Sequence, residues 1–405
     1  MPWFLLVGIL LFALNLRGPI VALAPVLEQL RLDLGLTSAA AGLLTSLPVL
    51  CFALVTPLAA SLIKHAGAER AVLISLIGIL LGTLVRVLGG FEYAVIGTII
   101  IGAAITIGNV VVPVVVRRDF PAERVGIVTG TYTAALNTGA MITSLLTAPL
   151  AQAIGWRGAI TAWAILIIAA IIVWGQAAGW RRTVLGERDG SADGPQLEAV
   201  PHNAAWRSLT TWILTLAFAG QAFSYYGLTA WLPTILVQTL GMTPEAAGSS
   251  SSAFQIFAVV GALGVPLLAG RWRPSTLVAA ISLTWLTAPI GLILAPELWL
   301  LWTTLAGVAQ GGGVTIVFIL IVRIARTNDQ ARGLSAFVQG CGYAIAAAGP
   351  FVIGAVHQAS GDWVAPMYVL AASVLVLGVC GIAAGVRAEA RHPDSPEPIG
   401  DQADD

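Results

Sequence analysis

Gly35-Leu36-Thr37-Ser38-Ala39-Ala40-Ala41-Gly42 returns 206 residues later as Gly241-Met242-Thr243-Pro244-Glu245-Ala246-Ala247-Gly248. Both read G-x-T-x-x-A-A-G, and each follows a long apolar run. The offset recurs elsewhere: Arg117 matches Arg323 at 206, Gly155 matches Gly361 at 206, and Gly126 matches Gly333 at 207. Any one short match in a chain rich in Gly and Ala is unremarkable. One offset shared by separate regions is harder to obtain by chance, so the chain reads as two parallel copies of one unit.

The copies are membrane-embedded. Of 405 residues, 58% are hydrophobic and only 10% charged, against about 25% charged in soluble domains. Crossing a bilayer as a helix takes about 20 apolar residues. Twelve segments qualify: 3–30, 38–63, 70–89, 93–116, 125–154, 158–180, 208–238, 245–270, 275–295, 297–322, 332–357 and 364–386. The expected organisation is an N-terminal six-helix bundle over 1–180, a polar cytoplasmic linker over 181–207, a C-terminal six-helix bundle over 208–386 and a disordered cytoplasmic tail over 387–405. The first segment lacks a basic leader and is too long for a signal peptide, so it reads as an uncleaved span. With the N-terminus in the cytoplasm, 16 of the 20 Lys and Arg fall in cytoplasmic connections. Only Arg31, Arg86 and Arg157 lie outside. The positive-inside bias orients a multi-pass inner-membrane protein with both termini cytoplasmic.

Arg17 remains, in the middle of the first span within Asn15-Leu16-Arg17-Gly18-Pro19. A charge at the bilayer centre costs roughly 2.5–3.5 kcal/mol even on the lenient insertion scale. No carboxylate lies deep in any span to neutralise it, which favours a watery cavity and an anionic ligand. Gly18-Pro19 should kink or open the helix just beyond, because Pro removes a backbone donor; an ordinary structural kink is the alternative. Arg86, near the end of span 3, reads as a cation snorkelling to the headgroups, with a second anion contact as the sharper alternative.

Two parallel six-helix repeats resemble the architecture of major-facilitator transporters, whose site lies near the midplane between the halves. In that arrangement helices 1, 2, 4, 5, 7, 8, 10 and 11 line the cavity. The buried amides Asn15, Asn109, Asn137, Gln221, Gln255, Gln310 and Gln339 fall on seven of those eight spans. Each taken alone is as well explained as interhelical glue, worth about 0.6 kcal/mol per pair. As a set they point to a polar cavity. Tyr225, Tyr226 and Trp231 on span 7 could line its walls or simply pack. Gly311-Gly312-Gly313 beside Gln310 allows close packing or a hinge, packing being the simpler reading.

Four blocks resemble one branch of the major facilitators, the cyanate permease and 2-nitroimidazole transporter family. They are Asn15-Leu16-Arg17; Gly108-Asn109-Val110-Val111-Val112-Pro113 with Arg117-Arg118-Asp119-Phe120-Pro121; Gly220-Gln221 through Tyr225-Tyr226 to Ala230-Trp231-Leu232-Pro233; and Leu334-Ser335, Gln339, Gly342-Tyr343, Gly349-Pro350. The resemblance implies an all-α integral membrane protein of the major-facilitator fold with 12 transmembrane helices in two pseudo-symmetric six-helix bundles. It implies a secondary transporter of a small anionic or polar solute, with export of small nitroheterocycles as the alternative. The candidate substrate-binding residues are Arg17, Asn15, Asn109, Asn137, Gln221, Tyr225, Tyr226, Gln255, Gln310, Gln339 and Tyr343. One departure stands out: Lys64-His65-Ala66-Gly67-Ala68-Glu69-Arg70 keeps only remnants of the usual signature between spans 2 and 3, which leaves the gating ion pair of that region in question.

Other function classes find little support. His65, His202, His357 and His392 show no metal-ligand spacing, and no G-x-S-x-G motif occurs. No cofactor or metal is expected. Ser249 to Ser252 reads as helix entry. Cys51, Cys341 and Cys380 read as small hydrophobes. Zero net charge carries no nucleic-acid signal. The expected partners are a small-molecule substrate and the lipid bilayer, with a monomer sufficient to form the cavity. Without a buried carboxylate or a deep His, a dedicated carboxylate proton carrier is not expected.

Overall fold

A computed structural model describes residues 3–180, 184, 208–325 and 327–390, and among them every regular element is helical. The N-terminal run forms α1 (Trp3–Val21), a 3₁₀ turn (Ala24–Val26) and α2 (Leu27–Asp33). Then come α3 (Ser38–Ala66), α4 (Ala68–Arg86), α5 (Phe91–Asp119), α6 (Ala122–Ala162) and α7 (Ala164–Ala178). The second half holds α8 (Leu209–Leu240), α9 (Pro244–Ala269), α10 (Pro274–Leu294), α11 (Trp299–Ile324), α12 (Asn328–Ala346), α13 (Ala348–Ser360) and α14 (Val364–Glu389). Apart from residue 184, the expected linker lies outside the described residues. The final helix runs to Glu389, and 391–405 lie outside them.

Twelve spans follow from these helices. Ten segments of the described residues are long and apolar enough to cross a membrane. One of them, Ile127–Ala178, is 52 residues long, or about 78 Å as a single helix, far more than the roughly 30 Å hydrocarbon core. Gly155, at φ 74°, divides it into spans 5 and 6. The twelfth is α8, whose 32 residues carry no charge but are diluted by Gln221, Ser224, Tyr225 and Tyr226.

The sequence repeat is a repeat of conformation. Gly35 and Gly241 take left-handed φ values of 61° and 64°. Two residues later the Thr37 and Thr243 hydroxyls accept from the amides of Ala40 and Ala246, at 3.2 and 3.3 Å, and open α3 and α9. This is N-capping by Thr. Gly155 and Gly361 share φ values of 74° and 77°. The 206-residue offset thus marks helix ends, where the backbone demands Gly and Thr whatever the packing around them.

The first span departs from a single helix. Pro19 lies inside α1 and Pro25 opens the 3₁₀ turn. The missing proline donors and their ring bulk end α1 at Val21 and redirect the chain. The eleventh span is also broken, into α12 and α13, just ahead of Pro350.

The contacts form two compact units that cut across the covalent halves. Unit one holds the described residues of Met1–Ala199, with Tyr226–Ile256 and Ala347–Pro366. In it α1 packs on α6 and α7, α4 on α5 and α7, and α3 on both α5 and α13. A Cβ on Gly139 would overlap the Leu14 carbonyl, so α1 and α6 touch backbone to backbone. Gly42, the last residue of the first repeat motif, stands equally close to the Pro350 carbonyl. The Ser46 hydroxyl accepts from the Phe351 amide at 3.1 Å, and the Trp231 indole donates to the Pro350 carbonyl at 2.9 Å. Unit two holds the described residues of Val200–Tyr225, Phe257–Ala346 and Met367–Asp405. There Gly311 abuts the Ala258 carbonyl and Gly313 the Gln221 side chain, so the triple glycine of α11 serves close packing.

The candidate substrate site

Arg17 sits on α1 near its broken end and is half-buried. Its Nη1 donates to the Asn137 side-chain oxygen of α6 at 2.6 Å. The Asn137 side-chain nitrogen donates to the Thr133 carbonyl one turn away, at 3.0 Å. That second bond sets the orientation of the amide and presents its oxygen to the guanidinium. Asn137 is buried, with 5% exposure. The backbone approach of Gly139 to Leu14 brings the two side chains within reach. Unlike a carboxylate, this amide orients the guanidinium without cancelling its charge. Among the described residues, the buried polar side chains include no Asp or Glu.

The other expected site residues take varied places. Asn15 lies two residues from Arg17, on the opposite side of the helix. It donates to the Leu11 carbonyl at 2.8 Å and to the Leu166 carbonyl of α7 at 3.3 Å, joining helices inside unit one. Asn109 is exposed from unit one, on a stripe of α5 with Pro113 and Arg117. Gln255 is buried in unit one, and Tyr226 stands 6.5 Å from the Phe52 ring. Unit two brings Gln221 and Gln310 together: the Gln221 amide donates to the Gln310 carbonyl at 3.2 Å. Tyr225 is buried there. Gln339 donates to the Ser335 hydroxyl of its own helix at 2.8 Å, and Tyr343 meets Phe218 edge-on at 5.0 Å.

Arg86 corrects the sequence reading. It does not snorkel: its exposure is 2%, and its Nη1 donates to the Pro19 carbonyl at 2.9 Å. A lone Arg near a span end carries no sequence signal that separates these two fates. The weakened signature between spans 2 and 3 nevertheless holds an ion pair: Arg118 contacts Glu69 at 2.7 Å and Asp119 at 2.8 Å. Beyond the apolar span, the hydrogen bond to Asp119 and then that to Glu69 raise the Arg118 guanidinium above its ordinary range, against the opposing effect of partial burial. Among the described residues no cluster of His, Cys, Asp or Glu is arranged to hold a metal.

Comparison with known proteins gives this geometry its context. A family model described as the Major Facilitator Superfamily matches residues 5–303 and 235–402. The 2-nitroimidazole transporter of Escherichia coli K12 is 32% identical over 389 residues, 96% of each chain. The cyanate transport protein of the same organism is 27% identical over 362 residues, 89% of this chain and 91% of the other. The crystal structure of a bacterial homologue of the human lysosomal transporter Spinster, inward-facing and unoccupied, superposes with a TM-score of 0.73 at 17% identity. It covers 98% of this chain and 99% of its own.

Proposed function

The chain belongs to the major facilitator superfamily, and on that premise we propose that it moves a small anionic or strongly polar solute, cyanate-like, across the bacterial inner membrane with Arg17 as the anchor. As a member of that superfamily it is a secondary transporter, not an enzyme. The observation that carries the substrate reading is the pairing of Arg17 with Asn137. A guanidinium offers several donors in a planar fork suited to an anion. An amide partner holds that fork in place and, unlike a carboxylate, does not itself neutralise it. The exposed Asn109 fits the same reading, since an amide facing hydrocarbon would lack hydrogen-bond partners and one facing water would not. The solute then meets Arg17 from one face of the membrane and leaves to the other by alternating access. The bias of Lys and Arg supports a cytoplasmic position for both termini.

A second reading is export of small nitroheterocycles, favoured by the 32% identity to the 2-nitroimidazole transporter. There Arg17 would donate to a neutral nitro group. Thermal stability of the purified protein separates the two readings, because a ligand that binds only the folded state raises apparent stability. Cyanate, nitrate, formate and 2-nitroimidazole are each compared on wild type and Arg17→Ala. The anion reading expects stabilisation by cyanate that disappears in the variant. Cyanate stabilisation that survives in Arg17→Ala overturns the anchor. Stabilisation by 2-nitroimidazole alone selects the second reading.

A further inference from the structure

Arg86 is the one charged side chain among the buried polar residues described, and transport chemistry gives it no task. It is the last residue of α4. Its Nη1 reaches the Pro19 carbonyl, two residues beyond Arg17, and its Nε is buried without a partner. Leaving a donor of a cation unsatisfied in the interior is costly. Something at this position offsets that cost.

The backbone of α1 shows what the guanidinium does. Pro19 has no N–H, so the Asn15 carbonyl loses the ladder bond that would span Arg17. The next bond of that row is lost as well. Leu23 donates to the Ile20 carbonyl instead, at 3.4 Å, leaving the Pro19 carbonyl to Arg86. The turn that carries Arg17 is therefore short of ladder bonds on the side of its own helix. Arg86 replaces one of them from a neighbouring helix. Part of the cost of its charge is offset there, because it lies where both α1 and α4 end, and helix C-termini carry partial negative charge. Its own backbone is fixed in turn: a Cβ on Gly97 of α5 would come within 2.5 Å of the Arg86 nitrogen.

We propose that Arg86 is a positioning residue for Arg17, clamping the broken end of α1 so that the Arg17 guanidinium keeps its aim at Asn137 and at the solute. This rests on the reading of Arg17 as the anchor. A corollary follows from the missing proline donor. Pro19→Ala restores the N–H that the Asn15 carbonyl lacks and stiffens the same turn, so it should reduce the cost of losing the clamp.

The test measures stabilisation by cyanate and by 2-nitroimidazole, and hence their apparent affinities, in full-length protein. Wild type, Arg86→Met, Arg86→Lys, Pro19→Ala and Pro19→Ala/Arg86→Met are compared, with Arg17→Ala as the control. Arg86→Met is expected to weaken binding about tenfold, the scale of one hydrogen bond lost between Arg17 and the solute. Arg86→Lys retains a charged donor and should stay within about threefold of wild type. In the Pro19→Ala background the Met substitution should cost no more than about threefold, a dependence on the neighbouring helix that a purely structural role would not show. Binding by Arg86→Met equal to wild type overturns the proposal. So does an equal loss in both backgrounds, or failure of Arg86→Met to fold in both, which would assign the residue to bundle stability alone. A ligand response that Arg17→Ala leaves unchanged, or none in wild type, fails the anchor reading instead.

Discussion

Asn137 faces Arg17 with its oxygen, at 2.6 Å, because its nitrogen is committed to the Thr133 carbonyl. The residues are 120 positions apart and meet only because Gly139 lets α6 lie directly on the α1 backbone. A neutral acceptor is the useful choice at this position. Under the proposed function it aims the cation without itself neutralising it.

Two substitutions at Asn137 should differ in their effect. Asn137→Ala removes the aiming bond, and anion affinity should fall several-fold. Asn137→Asp is nearly isosteric yet places a carboxylate on the guanidinium, so anion affinity should fall further, by more than about tenfold. If the amide only packed, Asp would be the milder change. Titration of cyanate stabilisation in both variants decides the order.

Arg17→Lys keeps the charge and loses the planar fork. Cyanate uptake into proteoliposomes should fall at least about tenfold, while the variant purifies as a folded protein. Uptake within twofold of wild type would mean that point charge alone suffices.

Gly42 supports a different prediction. Its Cα lies against the Pro350 carbonyl, so any side chain must force α3 and α13 apart, backbone against backbone. Gly42→Val should destabilise the protein by about 1–3 kcal/mol, the usual range for overpacking. It should also weaken the Ser46–Phe351 and Trp231–Pro350 bonds beside it. A lowered melting temperature together with lost transport is expected, and an unchanged melting temperature would contradict the packing seen here.

Glu69 and Arg118 form an ion pair that is partly open to solvent. Such pairs contribute about 1 kcal/mol or less. Glu69→Gln should therefore leave the melting temperature within a few degrees of wild type. If the pair steadies one conformation of the cycle, the transport rate should change by more than the stability does. Rates in proteoliposomes beside melting curves separate the two effects.

The limits of the sequence show at particular residues. Gly35 and Gly241 announce helix entries because a left-handed turn followed by a Thr cap is a local demand. Asn15 and Arg17 look like one polar cluster in the sequence. The helix turn sends Asn15 to the Leu166 carbonyl and Arg17 to Asn137, on opposite sides. Gln221 and Gln310 read as cavity residues, and the fold gives Gln221 the Gln310 carbonyl as acceptor. Amide composition says that hydrogen bonds are needed but not with whom.

Span number, the repeat, and the presence of a costly charge within the first apolar run were determined by the sequence alone. Hydropathy, helical length and capping depend on residues close together in the chain. The partner of Arg17, the burial of Arg86 against the Pro19 carbonyl, and the packing of α13 on α3 were decided only by the tertiary structure. Each depends on which helix faces meet, and that is settled by backbone approach at a few small residues such as Gly139, Gly97 and Gly42, whose partners lie far away in the chain.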